Sequence, residues 1–280
     1  MKKKKDYLAY PYVLWSVIFI VVPLLLIIFF SCTKTEGGEY VFSLDNFTRL
    51  MNPIYLKVFG RSIWLAFLST LLCLIIGYPV SYIISKKPDH KKGMLILLFI
   101  LPMWMNFLLR TYAWMSILGK NGLLNTLLTS IGLDPVSILY TNGAVLLGMV
   151  YNFLPFMVLP IYTSLLKIDQ DLVNAAYDLG AGKFKVFTKV IFPLSIPGVV
   201  SGITMVFMPA VSTFVISRLL GGGQYTLLGN LIEQQFTTVG DWNFGSAISI
   251  VMMLLILICM GLTSKFSDED EEERGGRLLW

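Results

Sequence analysis

Five stretches of this chain run for twenty residues or more without a charged side chain: 12–31, 62–85, 142–166, 195–217 and 243–264. A helix needs about 20 apolar residues to cross the roughly 30 Å hydrocarbon core of a bilayer. Each run is therefore long enough to span. A sixth, 93–109, is shorter but continues past Arg110 through 111–119, which is also apolar. The expectation is an all-α integral membrane protein with six transmembrane helices. Only 14% of the 280 residues are charged, against about 25% in a soluble domain. So few charges cannot cover a water-facing surface, and lipid must be part of the solvent.

The first run follows Lys2–Lys5. It is too long for the apolar region of a signal peptide, and no A-x-A-like cleavage site follows, so it reads as an uncleaved helix. Fifteen of the 22 Lys and Arg residues fall in the N-terminus, the 86–92 and 167–194 loops and the tail from Lys265, against seven in the alternate segments. The positive-inside bias then makes both termini cytoplasmic. This distribution explains the net charge of +5 by membrane orientation and excludes nucleic acid as its reason. All 17 Asp and Glu residues lie outside the six runs, which argues against a proton-coupled carrier, where carboxylates sit at membrane depth. The segment 268–273 reads as a solvated acidic end. Cys32, Cys73 and Cys259 are far apart and have no metal-like spacing.

Catalysis is not expected. The one histidine, His90, sits in a Pro-Asp-His turn between lysines, and no nucleophile triad, metal cluster or phosphate-binding glycine loop is present. Prolines at 23, 79, 102, 155, 160 and 209 punctuate the runs and read as packing kinks.

The basic segment 167–198 should fold as two short helices. Asp169 or Asp171 can cap the first, and Gly180 and Gly182 can take the positive φ that ends it. The second, 183–191, carries Phe184, Phe187 and Ile191 at helical spacing, so that Phe184 and Phe187 would anchor the elbow to the membrane helices. Pro193 should stop it and Pro197 start the fifth span. Ala175, Ala176 and Gly180 are small and would let another surface approach.

The residues Asn174-Ala175-Ala176-Tyr-Asp178-Leu-Gly180-Ala181, followed by Val190-Ile-Phe-Pro193, resemble the EAA loop of ABC importer permeases. That pattern is Glu-Ala-Ala, three residues, Gly, nine residues, then Ile-x-Leu-Pro, and the spacing here matches without a gap. Asn174 replaces the leading Glu, Val190 the Ile and Phe192 the Leu. The missing carboxylate removes any salt bridge from that position. The resemblance implies a type I importer permease fold, with a first helix and external loop over 1–57, a permease core over 58–264 and a tail over 265–280. It implies that a coupling loop at 169–193 docks on a cytoplasmic ATPase through Asn174, Ala175, Ala176, Asp178, Gly180, Ala181, Phe184 and Pro193. The implied partners are a second homologous permease, two ATPase subunits that carry the ATP and magnesium, and an extracytoplasmic binding protein. No cofactor is implied for this chain.

Residues 109–114 in the third run, 207–216 with 219–223 after the fifth, and 229–233 are similar to the first permease subunit of spermidine/putrescine importers. A polyamine needs carboxylates, carbonyls or aromatic faces when dehydrated. The aromatics Trp104, Tyr112, Trp114, Tyr151, Phe153 and Phe214 offer cation–π contacts of about 0.5–2 kcal/mol each. Glu233 and Asp241 are the acids near the outer mouth, and Arg110 and Arg218 should pair with neighbours or lie at the surface. Two alternatives stand beside this: a permease of the same mechanism for another solute, and a channel or carrier that works without ATP.

Overall fold

A computed structural model describes the backbone of residues 10–277 and the side chains through 263. Lys2–Lys5 lie outside the described residues, and of 268–273 only the backbone, a helix, is described.

Helix α1 (Tyr10–Ser31) leads into a hairpin of β1 (Thr33–Glu36) and β2 (Glu39–Phe42), paired antiparallel with Thr33 opposite Phe42. Short α2 (Asp45–Leu50) precedes α3 (Pro53–Ser85), α4 (Asp89–Trp104), α5 (Phe107–Leu118), α6 (Leu123–Ser130) and α7 (Asn142–Leu166). Then come α8 (Gln170–Asp178), α9 (Lys183–Ser212), α10 (Val215–Leu220), α11 (Leu228–Gln234) and α12 (Trp242–Arg277). Among the described residues α1, α3, α7, α9 and α12 are each long and apolar enough to cross a membrane.

The sixth apolar run is bent. The helix of α4 and the segment 107–130 meet at 92°, so 93–119 is not the continuous span expected from its apolarity. Pro102 weakens the last turn of α4, and Met105 is extended with ψ 146°. Asn106 then starts a new helix: its Oδ1 accepts the N–H groups of Leu108 at 2.8 Å and Leu109 at 3.3 Å, two of the donors that every helix start leaves free. The expected fifth span is displaced for a similar reason. It runs 183–212 instead of 195–217, because Thr213 turns extended and α10 begins afresh at Val215.

The packed centre is α3, α7 and α9. Met149, Met157, Val158 and Ile161 of α7 are fully buried. Gly198 of α9 lets the backbones nearly touch: a Cβ there would stand 2.5 Å from the Ser164 Cβ and 2.7 Å from the Pro160 carbonyl oxygen. Small residues allow such close approach where lipid removes the usual hydrophobic drive. Polar bridges tie the same helices. The Tyr78 and Ser195 hydroxyls lie 2.8 Å apart, and Ser81 Oγ donates to the Val158 carbonyl at 3.0 Å.

Helices α1 and α9 each contain a five-residue π turn, Val17–Val21 and Phe187–Ile191. Each turn is closed by the residue just before a proline: Val22 N–H donates to the Val17 carbonyl ahead of Pro23, and Phe192 N–H to the Phe187 carbonyl ahead of Pro193. A proline ring clashes with the carbonyl four residues back, and the wide turn moves that carbonyl aside. Pro193 therefore does not stop the helix, and Pro197 does not start one. Both lie inside the continuous α9.

Candidate functional site

The elbow 169–193 is built residue by residue. Asp169 is its cap: Oδ1 accepts the Asp171 N–H at 2.9 Å. Gly180, at φ +80°, ends α8. Its N–H donates to the Tyr177 carbonyl at 2.9 Å, and the Ala181 N–H to the Ala176 carbonyl at 3.1 Å, the paired bonds of a left-handed helix stop. Gly182 is not part of that stop. It is extended, with φ −69° and ψ 160°, and precedes the first turn of α9.

Val173 and Val186 are buried, and Ala176 and Ala181 pack against the core. Phe187 inserts between aromatic rings, 5.8 Å from Tyr78, 5.4 Å from Tyr82 and 6.3 Å from Phe192. Phe184 does not share the anchoring role expected of it. At 81% exposure it projects outward, as does Leu179 at 88%. Phe184 lies in the first turn of α9, beyond the end of the bundle, whereas Phe187 is one turn deeper and level with the tyrosines. Asn174, Ala175, Asp178 and Gly180 are exposed. The elbow thus has a buried face that fixes it and an outward face of small and apolar side chains. Beside it α7 and α9 enclose a groove of about 700 Å3 whose walls include Pro160, Ser164, Lys167, Pro197 and Ser201.

Partway along α3 and α7, Trp114 and Tyr151 meet edge to face with centroids 5.3 Å apart and line an apolar cavity of about 380 Å3. Among the described residues no ring contact joins Trp104, Tyr112 or Phe214 to that pair. Trp104 is exposed at the bend, Tyr112 and Phe214 are exposed, and Phe153 is in the core. The two acids are engaged. Glu233 accepts from Arg218 Nη1 at 2.8 Å. Asp241 accepts from Arg49 Nη1 at 2.7 Å and, through its other oxygen, from the Phe244 N–H at 3.0 Å, capping α12. The Arg49 guanidinium also lies 4.0 Å over the Phe244 ring. Nearby, the Glu36 carboxylate, hydrogen-bonded to Lys34, and the Asp45 charge hold the Lys34 ammonium above the ordinary lysine range.

Arg218 is paired as expected, but Arg110 is not. It is buried, and its Nε and Nη1 have no acceptor among the described residues. Sequence reasoning also missed Asn243. Its Nδ2 lies within bonding distance of the Phe30 carbonyl at 3.1 Å, the Thr33 carbonyl at 2.8 Å and Thr33 Oγ1 at 3.0 Å, fastening α1 to α12. Its place at the mouth of the last apolar run was the available signal.

Apolar helices long enough to cross a membrane, packed about α3, α7 and α9 with a capped elbow at one end, define an integral membrane protein. Residues 93–269 match the family described as "Binding-protein-dependent transport system inner membrane component", and the chain belongs to it: a multi-pass permease subunit and not an enzyme. It is 41% identical over 253 residues to the spermidine/putrescine transport system permease protein PotB of Escherichia coli (strain K12), covering 87% of this chain and 92% of that protein. It is 39% identical over 249 residues to PotB of Haemophilus influenzae, covering 87% of each. The fold is shared with a chain of a bacterial ABC transporter that imports the acidic polysaccharide alginate, at TM-score 0.78, 17% identity and coverage of 94% and 96%. It is also shared with a chain of the MetNI methionine ABC transporter, at TM-score 0.59, 16% identity and coverage of 79% and 97%.

Proposed function

We propose that this permease carries polyamine across the inner membrane, driven by a separate ATPase pair that docks on the 169–193 elbow. The observation that carries the coupling role is the division of that elbow into a buried face (Val173, Val186, Phe187) and an exposed apolar one (Leu179, Phe184). Ala175, Ala176, Ala181 and Asp178 shape the surface between, Asn174 standing where a carboxylate is usual. Pro193 keeps α9 running into the core through its π turn. A rigid element bonded into the bundle transmits displacement, whereas a flexible loop would absorb it.

In this reading both termini and the elbow face the cytoplasm, and the permease core is 58–264. A second, homologous permease completes the pathway, and an extracytoplasmic binding protein delivers spermidine or putrescine. ATP and magnesium reside on the ATPase. The names of the relatives supply the substrate. Trp114 and Tyr151 are the aromatic faces placed to receive a dehydrated ammonium. Trp104, Tyr112 and Phe214 are proposed for the same path at other depths. Glu233 and Asp241 would act at the mouth only by exchanging their arginine partners.

The test is Gly180→Trp in proteoliposomes that hold the whole transporter and its binding protein. No heavy atom lies within 4 Å of the position a Cβ would take there, so the substitution meets no clash at the Cβ. A left-handed φ strains any L-residue, however, and the indole projects into the docking face. Polyamine-stimulated ATPase activity should fall at least tenfold with membrane insertion normal. Unchanged stimulation would remove the docking role, and transport that persists without the ATPase would replace this reading with a channel or carrier.

A further inference from the structure

At the elbow end of the bundle a second cavity, of about 330 Å3, opens between the α3–α4 turn and α8. Its volume is at the small end of the roughly 300–1,000 Å3 range of ligand pockets. Lys86, Lys87 and Lys92 stand around it, with Tyr82, Ser85 and Gln170 supplying hydroxyls and an amide. No carboxylate lines it. Among the described residues, only Lys92 of the three has an acidic partner, Asp89 at 2.8 Å, whose side chain is 96% exposed. Lys86 Nζ is 5.7 Å from the centroid of the Tyr82 ring. The floor is apolar, made by Leu165 of α7 and Val173 of α8, both buried.

Three lysines around one recess, with one carboxylate among their partners, leave a positive charge that an anion would balance. The cavity lies where two apolar crossings, α3 and α7, come to their ends, which is the depth of lipid headgroups. A basic recess between membrane helices, with donors at its rim and hydrocarbon at its floor, fits a phosphate group that carries an acyl chain. We propose that this cavity binds the phosphate of an anionic phospholipid, and that the bound headgroup braces α8 from behind. Val173 and Gln170 belong to both the cavity wall and the elbow, so occupancy restricts the element that the coupling role requires to be stiff. The assignment rests on membrane insertion and not on the substrate, so it stands or falls separately from polyamine transport.

The experiment is native mass spectrometry of the intact, detergent-solubilised chain, titrated with phosphatidylglycerol, phosphatidylcholine or inorganic phosphate. Wild-type protein should retain one phosphatidylglycerol at least fivefold more tightly than phosphatidylcholine. The K86Q/K87Q/K92Q variant should lose that preference, and the K86R/K87R/K92R variant should keep it. A control with the same charge loss outside the cavity, K183Q/K185Q/K189Q, should behave as wild type. Millimolar inorganic phosphate that displaces the lipid would support the phosphate contact. Binding of inorganic phosphate without phosphatidylglycerol would overturn the lipid assignment. Equal loss in both glutamine variants would overturn the site altogether, because diffuse charge would then explain the preference. So would an equal affinity for the two lipids.

Discussion

Arg110 is buried with its Nε and Nη1 unmatched among the described residues. A guanidinium carries five N–H donors, and leaving buried donors without acceptors costs about 1–3 kcal/mol, more where charge is involved. Arg110→Met keeps the stem that packs among the helices and removes the charge. The purified chain should gain stability, with a thermal midpoint several degrees higher in detergent; a lower midpoint would mean that the guanidinium is satisfied after all. The sequence placed Arg110 in an apolar stretch but could not say that it would be buried, because burial depends on the break at Met105. Local chemistry was more readable. A cap at Asp169 or Asp171 and a glycine stop at Gly180 or Gly182 followed from residue type, since both act through the neighbouring backbone; the structure takes Asp169 and Gly180.

At the scale of the element, five of the six apolar crossings were legible from length and charge alone, and one, 142–166, to the residue. The errors share a cause. Prolines at 193 and 197 are helix breakers by composition, yet α9 passes both, because a π turn absorbs the first and the second loses a bond that membrane helices can forgo. The β1–β2 hairpin was overlooked, although Gly37-Gly38 between two short polar-and-apolar runs is a recognised hairpin signal. Apolar periodicity dominated the reading and small elements outside it went unseen. The contact of α7 with α9 gives a sharp prediction. Gly198→Leu would push a branched side chain into Ser164 and Pro160, whose nearest atoms already stand 2.5 and 2.7 Å from a bare Cβ. Overpacking of this kind costs about 1–3 kcal/mol. The variant should insert yet unfold at lower temperature, whereas Gly93→Leu, at a site with no atom within 4 Å, should not.

For the whole molecule, the proposed orientation rests on basic residues gathered at the elbow end. With Cys32, Cys73 and Cys259 replaced, a cysteine at Lys185 should react with a membrane-impermeant maleimide only after permeabilisation. A cysteine at Lys120 should react in intact spheroplasts. The reverse pattern would invert the orientation and place the elbow beyond the reach of any cytoplasmic ATPase.

Among the described residues, helix α1 is fastened to this bundle mainly through its half nearer the C-terminus. Its half nearer the C-terminus lies along α12 and is pinned there by Asn243 and by Asn46, which donates to the carbonyls of Ser31 and Thr33. Its other half, Tyr10 to Val21, is exposed at every position except Ser16. The wide turn at Val17–Val21 divides that exposed half from the half packed on α12, so a neighbouring membrane chain would meet α1 before it met the core.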